Sequence, residues 1–118
     1  MSAVLEGIRV ADFSHVMAGP FATHLLRLLG AEVIKIEAPG RGDAMRDYGT
    51  DRRYDGMAPA FIAVNAGKKS IVLDLKRKDH VDVVRELARR ADVLVENFRP
   101  GAMARLGLDA DTLCAANP

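Results

Sequence analysis

Apolar and polar positions along this chain follow two periods. Ile8-Arg9-Val10-Ala11-Asp12-Phe13 is a short run of strand character, and Glu32-Val33-Ile34-Lys35-Ile36 is a second. Between them Phe21, Leu25 and Leu28/Leu29 recur at helical spacing, with Pro20 expected at the first helical position and Gly30 as the stop. A strand, a helix and a strand joined by short Gly-bounded loops predict a βαβ unit, with parallel strands and a right-handed crossover. A third strand is expected over Lys68 to Leu75, where Ile71, Leu73 and Leu75 alternate with Ser70, Val72 and Asp74. Asp79 then reads as the N-cap of a helix. That helix has an apolar stripe of Val81, Val84, Leu87, Ala88 and Ala91, and a polar face of Asp82, Arg85, Glu86, Arg89 and Arg90. Val93 to Val95 is the fourth strand. Short helices are expected over Met57 to Val64, around Arg105, and from Asp109 to Ala115. The pattern is that of an α/β fold with a four-stranded parallel sheet and flanking helices.

One stretch breaks the rhythm. Glu37 to Asp55 is polar and Gly-rich, setting Arg41, Arg46, Arg52 and Arg53 against Asp43, Asp47, Asp51 and Asp55. Loops of this length in compact domains are usually functional or mobile. The other end of the chain, Asn117-Pro118, reads as the lead-in to a further strand. A sheet cut there leaves an edge uncovered, so residues 1–118 are expected to be the front portion of a larger protein.

Composition narrows the field without deciding it. The 118 residues suffice for one domain, 49% are hydrophobic and 28% charged, and the net charge is +1. No overall field favours nucleic acid or a membrane surface. Trp is absent and aromatics make up 5%, which argues against a base-stacking platform. The single cysteine, Cys114, forms no intramolecular disulfide and fits a reducing compartment. No secretory signal pattern opens the chain, and no apolar run approaches the roughly 18 residues that a membrane span needs. The expected location is cytoplasmic. Charge is uneven locally: Lys68, Lys69, Lys76, Arg77 and Lys78 form a basic stretch with only Asp74 and Asp79 among them.

Candidate chemistry gathers at the carboxyl ends of the strands, where open α/β sheets bind ligands. The turn His15-Val16-Met17-Ala18-Gly19-Pro20 leads from a strand into a helix N-terminus, an anion-binding geometry, but it lacks the GxGxxG dinucleotide fingerprint. His15 reads either as a donor to a ligand or as a solvated loop histidine. Asp12 reads as a base or phosphoacceptor, or as an acceptor for loop amides. His24 and His80 have no carboxylate or Cys at metal-binding spacing, so no metal site is legible. The basic stretch reads either as a solvated run or as a phosphate contact through Lys76. After the fourth strand, Asn97, Phe98 and Arg99 precede a Pro-Gly turn and Arg105. They read as one wall of a site for a ligand with a ring and phosphates, or as a capping Asn with two surface arginines.

Taken together, these segments resemble the N-terminal part of the class III CoA-transferases, the CaiB/BaiF family that includes formyl-CoA transferase and also the α-methylacyl-CoA racemases. Three ordered stretches carry the resemblance: LEGIRVADFSHVMAGPFATHLLRLLGAEVIKIEAPGRGD, NAGKKSIVLDLK and ADVLVENFRPGAMARLGL. The resemblance implies a Rossmann-like sheet that binds the ADP part of coenzyme A at its carboxyl edge. Carried over by motif, the contacts fall on His15, Met17 and Ala18, then Leu73, Asp74, Leu75 and Lys76, then Asn97, Phe98 and Arg99, and finally Arg105. Where many relatives have Arg after KIE, this chain has Ala38; Arg41 is the candidate substitute nearby.

The resemblance further implies that acyl-CoA and a carboxylic acid are the substrates, with no metal. An Asp carboxylate attacks the thioester to form an acyl-enzyme, and that Asp lies outside these residues. Family members form interlocked homodimers, so the 118 residues alone are expected to be inactive. Asn65-Ala66-Gly67-Lys68-Lys69-Ser70 with Glu96-Asn97-Phe98 resembles the transferases. Racemases more often carry Tyr at the Phe98 position and lack the Asn-Ala-Gly lead-in. The alternatives are a racemase of the same family and a non-catalytic CoA-binding or dimerisation fragment.

Overall fold

Four short strands, β1 (Arg9–Asp12), β2 (Glu32–Glu37), β3 (Lys69–Val72) and β4 (Val93–Val95), form one parallel sheet in the order β3-β2-β1-β4. They belong to a computed structural model that describes every residue from Met1 to Pro118. Helix α1 (Ala18–Leu28) packs on β1 and β2 with α2 (Pro59–Asn65) beside it, while α3 (Lys78–Arg90) packs against β1 from the other face. The short helices α4 (Ala102–Arg105) and α5 (Ala110–Ala116) follow β4. No helix is long and apolar enough to cross a membrane.

The two faces of the sheet differ in chemistry, because successive strand residues point to opposite sides. Toward α3, Ala11, Phe13 and Ile36 join Leu73, Val81, Val84, Met103 and Leu108 in one apolar cluster. Toward α1, Val10, Ala31 and Val33 form a smaller cluster. Farther along that same face come Asp12, Lys35 and Glu37, all buried. Burial of ionised side chains is tolerated only when they are paired and hydrogen-bonded. The α1 face therefore runs from hydrocarbon at the amino ends of the strands to charge at their carboxyl ends.

Several local expectations need correction. Helix α1 begins at Ala18, so Pro20 is its third residue, where a missing N–H still costs nothing. Gly30 ends it as expected, with φ +108° and its N–H donating to Arg27 O at 2.9 Å. The third strand is only Lys69–Val72. One further ladder bond, Leu73 N to Glu37 O at 2.9 Å, precedes a sharp turn in which the Asp74 carboxylate accepts from Lys76 N at 3.0 Å. The Asp74 N–H in turn donates to His80 Nδ1 at 2.8 Å, which turns the chain toward α3. Asp79 is not the N-cap of α3. Arg77 occupies that position without a side-chain cap, and Asp79 lies in the first turn, paired with Arg77 at 2.7 Å.

Gly19 sits in close contact with the end of β1. A Cβ built there would collide with the Ser14 side chain, because the first turn of α1 folds directly over the end of β1. The Gly19→Ala substitution is expected to cost about 1–3 kcal/mol through forced displacement of Ser14. Urea unfolding checks this, and an unchanged midpoint would refute the close-packing account.

Candidate functional site

Because all four strands are parallel, their carboxyl ends share one edge. The chain fills the sheet from β1 outward to β3, then returns to add β4 on the opposite side of β1. The β1/β4 boundary is thus the topological switch point, the place where the following loops diverge and open a crevice.

Asn97 spans that boundary. Its Oδ1 accepts from His15 N at 2.9 Å and its Nδ2 donates to His15 O at 2.9 Å. The amide thus copies a backbone pairing and clips the loop after β4 to the turn after β1; it caps no helix. Phe98 packs beside the clip, its ring centroid 5.4 Å from that of His15, and it leans on the apolar cluster that contains Leu73. Met17 and Ala18 are exposed at the start of α1. Met17 is the N-cap residue and supplies no side-chain acceptor, so the first amides of an eleven-residue helix carry no protein cap.

The remaining predicted residues divide by role. Leu73 is buried and Leu75 half-buried, both within the cluster that supports Phe98, so what they present to the edge is main chain. Asp74 is occupied by the turn already described. Lys76, Arg99 and Arg105 are exposed, and none of them enters an ion pair. Arg105 folds back toward Gly101, the αL residue that starts α4. The basic stretch is therefore not a single patch. Lys69 and Arg77 are neutralised by Glu32 and Asp79. Lys68 does not face solvent. Arg41, the candidate substitute at the Ala38 position, is paired with Asp47 at 2.8 Å.

Sequence reasoning missed the charged layer beneath this edge. Lys68 Nζ lies 2.9 Å from Asp12 Oδ2 and 2.8 Å from Thr23 Oγ1, and reaches the Pro20 carbonyl and Asn65 Oδ1. Lys35 Nζ lies 2.9 Å from Asp43 Oδ2 and donates to Ser14 O at 2.8 Å. Glu37 holds Arg46 at 2.6 Å and also accepts from Asp43 N and Ser70 Oγ. The first part of the polar stretch, from Glu37 to Arg46, is pinned by these contacts. A signal was present: period-two alternation sets Lys35 and Glu37 on the same face as Val33, and an isolated Lys on a buried face requires an acid.

Each carboxylate stays ionised. Burial pushes Asp12 up, but hydrogen bonds from Ser14, Thr23 and Lys68 outweigh it and hold its pKa below the ordinary value. Burial likewise opposes Asp43, which the Met45 amide, Lys35 and the Val16 amide bring down. For Glu37, burial is overcome by Arg46, the Asp43 amide and Ser70, which lower it from 4.5 to about 2.

A groove of about 720 Å³ also runs along the open edge of β4, between Val93–Val95 and α5. It reaches Phe98 and Arg99 at one end but includes none of His15, Met17, Ala18 or Lys76. It follows from the unpaired strand edge rather than from the convergence of loops.

The family model for CoA-transferase family III matches residues 5–118. The chain belongs to CoA-transferase family III. An acetyl-CoA:oxalate CoA-transferase from Acetobacter aceti is 48% identical over 114 residues, covering 96% of this chain and 28% of that relative. A mouse succinyl-CoA:glutarate CoA-transferase is 47% identical over 109 residues, covering 88% of this chain and 24% of the relative. Among solved structures, a CaiB/BaiF family protein from Brucella suis superposes with TM-score 0.91 at 38% identity, over 100% of this chain and 32% of its own. The chain thus spans about a quarter of the length of the curated relatives it matches.

Two outcomes test the buried layer. Lys68→Met leaves the Asp12 carboxylate without its counter-charge and is expected to cost about 3–5 kcal/mol in denaturant unfolding, with partial recovery in the Asp12→Asn/Lys68→Met double variant. The Glu37 pKa is lower in the folded state, so its stabilisation is complete above the unfolded value of 4.5 and is lost as pH falls toward about 2. Unfolding free energy measured across that window is expected to drop with acid, and Glu37→Gln is expected to flatten the drop.

Proposed function

We propose that these residues are the coenzyme A-holding segment of a family III CoA-transferase that moves CoA between carboxylic acids. The observation that carries this reading is the contrast among cations. The side chains of the charged layer are paired, whereas Lys76, Arg99 and Arg105 stand at the ligand-binding edge with no carboxylate partner. With the uncapped start of α1, they offer point charge, guanidinium forks and amides to phosphate oxygens. Phe98 and His15 supply flat surface beside them. The contacts proposed for CoA are His15, Met17, Ala18, Leu73, Asp74, Leu75, Lys76, Asn97, Phe98, Arg99 and Arg105. Of these, Leu73 acts through main chain, and Asn97 keeps the two turns together.

The chemistry proposed for the whole protein is attack of an Asp carboxylate, outside these residues, on the acyl-CoA thioester. The acyl group passes to the carboxylate as CoA thiolate leaves, giving a mixed anhydride; the thiolate then attacks the Asp carbonyl, which releases the donor acid and leaves CoA as a thioester on Asp. The second acid attacks that thioester to form a new anhydride, and the freed thiolate takes its acyl group, giving the new acyl-CoA and the free Asp carboxylate. These 118 residues contribute affinity and no nucleophile. The sequence NAGKKS running into β3 and Phe98 after β4 support the transferase side of the family, as do the names of the relatives. Phe21, Leu25, Leu28 and Leu29 form an exposed apolar stripe on α1. That stripe supports burial against further protein, and we propose a homodimer of the complete chain.

Calorimetric CoA binding to the complete gene product tests the site. Arg99→Ala and Arg105→Ala each remove a charge-assisted hydrogen bond of about 1.5–3 kcal/mol, so each is expected to weaken CoA binding about 10–100-fold. Affinity is expected to fall with salt. Unchanged affinity in both variants would refute the phosphate contacts. Transfer of CoA from succinyl-CoA to a panel of carboxylic acids tests the reaction; loss of α-deuterium from a 2-methylacyl-CoA without transfer would replace it with racemisation.

A further inference from the structure

The turn after β1 is held in an unusual way. Val16, a β-branched residue, has φ +66°, in the left-handed region that such residues rarely enter. Asp43 accounts for it: Val16 N donates to Asp43 Oδ1 at 3.0 Å and lies 3.3 Å from Oδ2. Asp43 is fully buried, and Lys35 beneath it ties the same ion pair to the Ser14 carbonyl at 2.8 Å. Ser14 N is taken by Asp12 at 3.0 Å, and both main-chain groups of His15 are taken by Asn97. The main-chain groups from Ser14 N to Val16 N are thus all claimed by side chains, and those side chains come from β1, β2, the loop after β2 and the loop after β4. Immediately beyond them come Met17 and Ala18, exposed at the uncapped start of α1.

A turn whose main-chain groups are held from Ser14 N to Val16 N, directly before uncapped helix amides, is preorganised for binding. From this geometry we infer that Asp43, supported by Lys35, is a positioning residue for the CoA site: it locks Val16 in the left-handed conformation and so aims Met17, Ala18 and the start of α1 at the ligand. Asp43 itself does not contact the ligand. This inference rests on the CoA reading above. It adds that part of the affinity resides in a buried carboxylate on the long polar loop after β2.

Asp43→Ala in the complete gene product is expected to weaken CoA binding at least tenfold. It is also expected to raise backbone hydrogen exchange in the 14–19 segment at least tenfold without ligand. A merely structural tether predicts no special link to Val16, whereas positioning does. Glycine adopts positive φ freely, so Val16→Gly in the Asp43→Ala background is expected to recover CoA affinity severalfold. Asp43→Asn, which keeps an acceptor for Val16 N but loses the charge, is expected to fall between wild type and Asp43→Ala, and it carries the test if the alanine variant does not fold. Wild-type CoA affinity and exchange in a folded Asp43 variant would overturn the positioning role and leave the CoA reading intact. Absence of CoA binding by the wild type would overturn the CoA reading and the ligand half of this one; the exchange measurement would still decide whether Asp43 holds the turn.

Discussion

Two buried lysines organise this structure. Lys35 and Lys68 lie under the carboxyl edge of the sheet on the α1 face, each against a buried carboxylate, Asp43 and Asp12. A buried ion pair is a poor source of net stability compared with well-packed hydrocarbon, but it tolerates few alternative arrangements. Each ammonium must find a carboxylate and carbonyl oxygens together, and only one placement of the surrounding loops provides them. Lys68 thereby fixes the start of β3 against α1, and Lys35 fixes the polar loop after β2 against the turn after β1. The apolar cluster toward α3 supplies bulk cohesion, and the charged layer supplies the register of the loops above it.

The candidate site inherits that order. At the β1/β4 switch point Asn97 closes a side-chain bridge to His15, so the two loops that would grip a ligand are joined before any ligand arrives. Cations that look alike in the sequence end in different places. Lys76, Arg99 and Arg105 are left at the edge, while Lys68, which looks from the sequence like part of the same basic stretch, is consumed by the fold. Phosphate affinity proposed for this edge thus comes from few charges on fastened loops, which limits the ordering entropy that binding must overcome.

Much of the fold is legible because it is local. The apolar stripe from Val81 to Leu87 and the alternation in Val33 to Ile36 name their elements without help from the rest of the chain. The errors lie where a side chain overrides the pattern. The alternation of Ile71, Leu73 and Leu75 runs past the true end of β3, because the Asp74 carboxylate turns the chain and His80 takes its amide. Asp79 has the spacing of a cap, yet Arg77 captures it. At the site, the motif residues were legible one by one, but Asn97 as a clip was not, since its partner is 82 residues away.

The sequence by itself determined the order of strands and helices, the parallel sheet and the family, because periodicity, turn residues and ordered motifs are properties of neighbouring positions. Tertiary structure decided which charges are partners and which are free. Asp12 and Lys68 are 56 residues apart and Val16 and Asp43 are 27 apart, so no local pattern specifies either pairing. A charge written in a sequence has no fixed meaning until folding buries it against its opposite, as with Lys68 and Asp12, pairs it on the surface, as with Arg41 and Asp47, or leaves it unpaired at the edge, as with Lys76. Only the buried ones require a partner, because an unpaired charge away from water costs too much to desolvate.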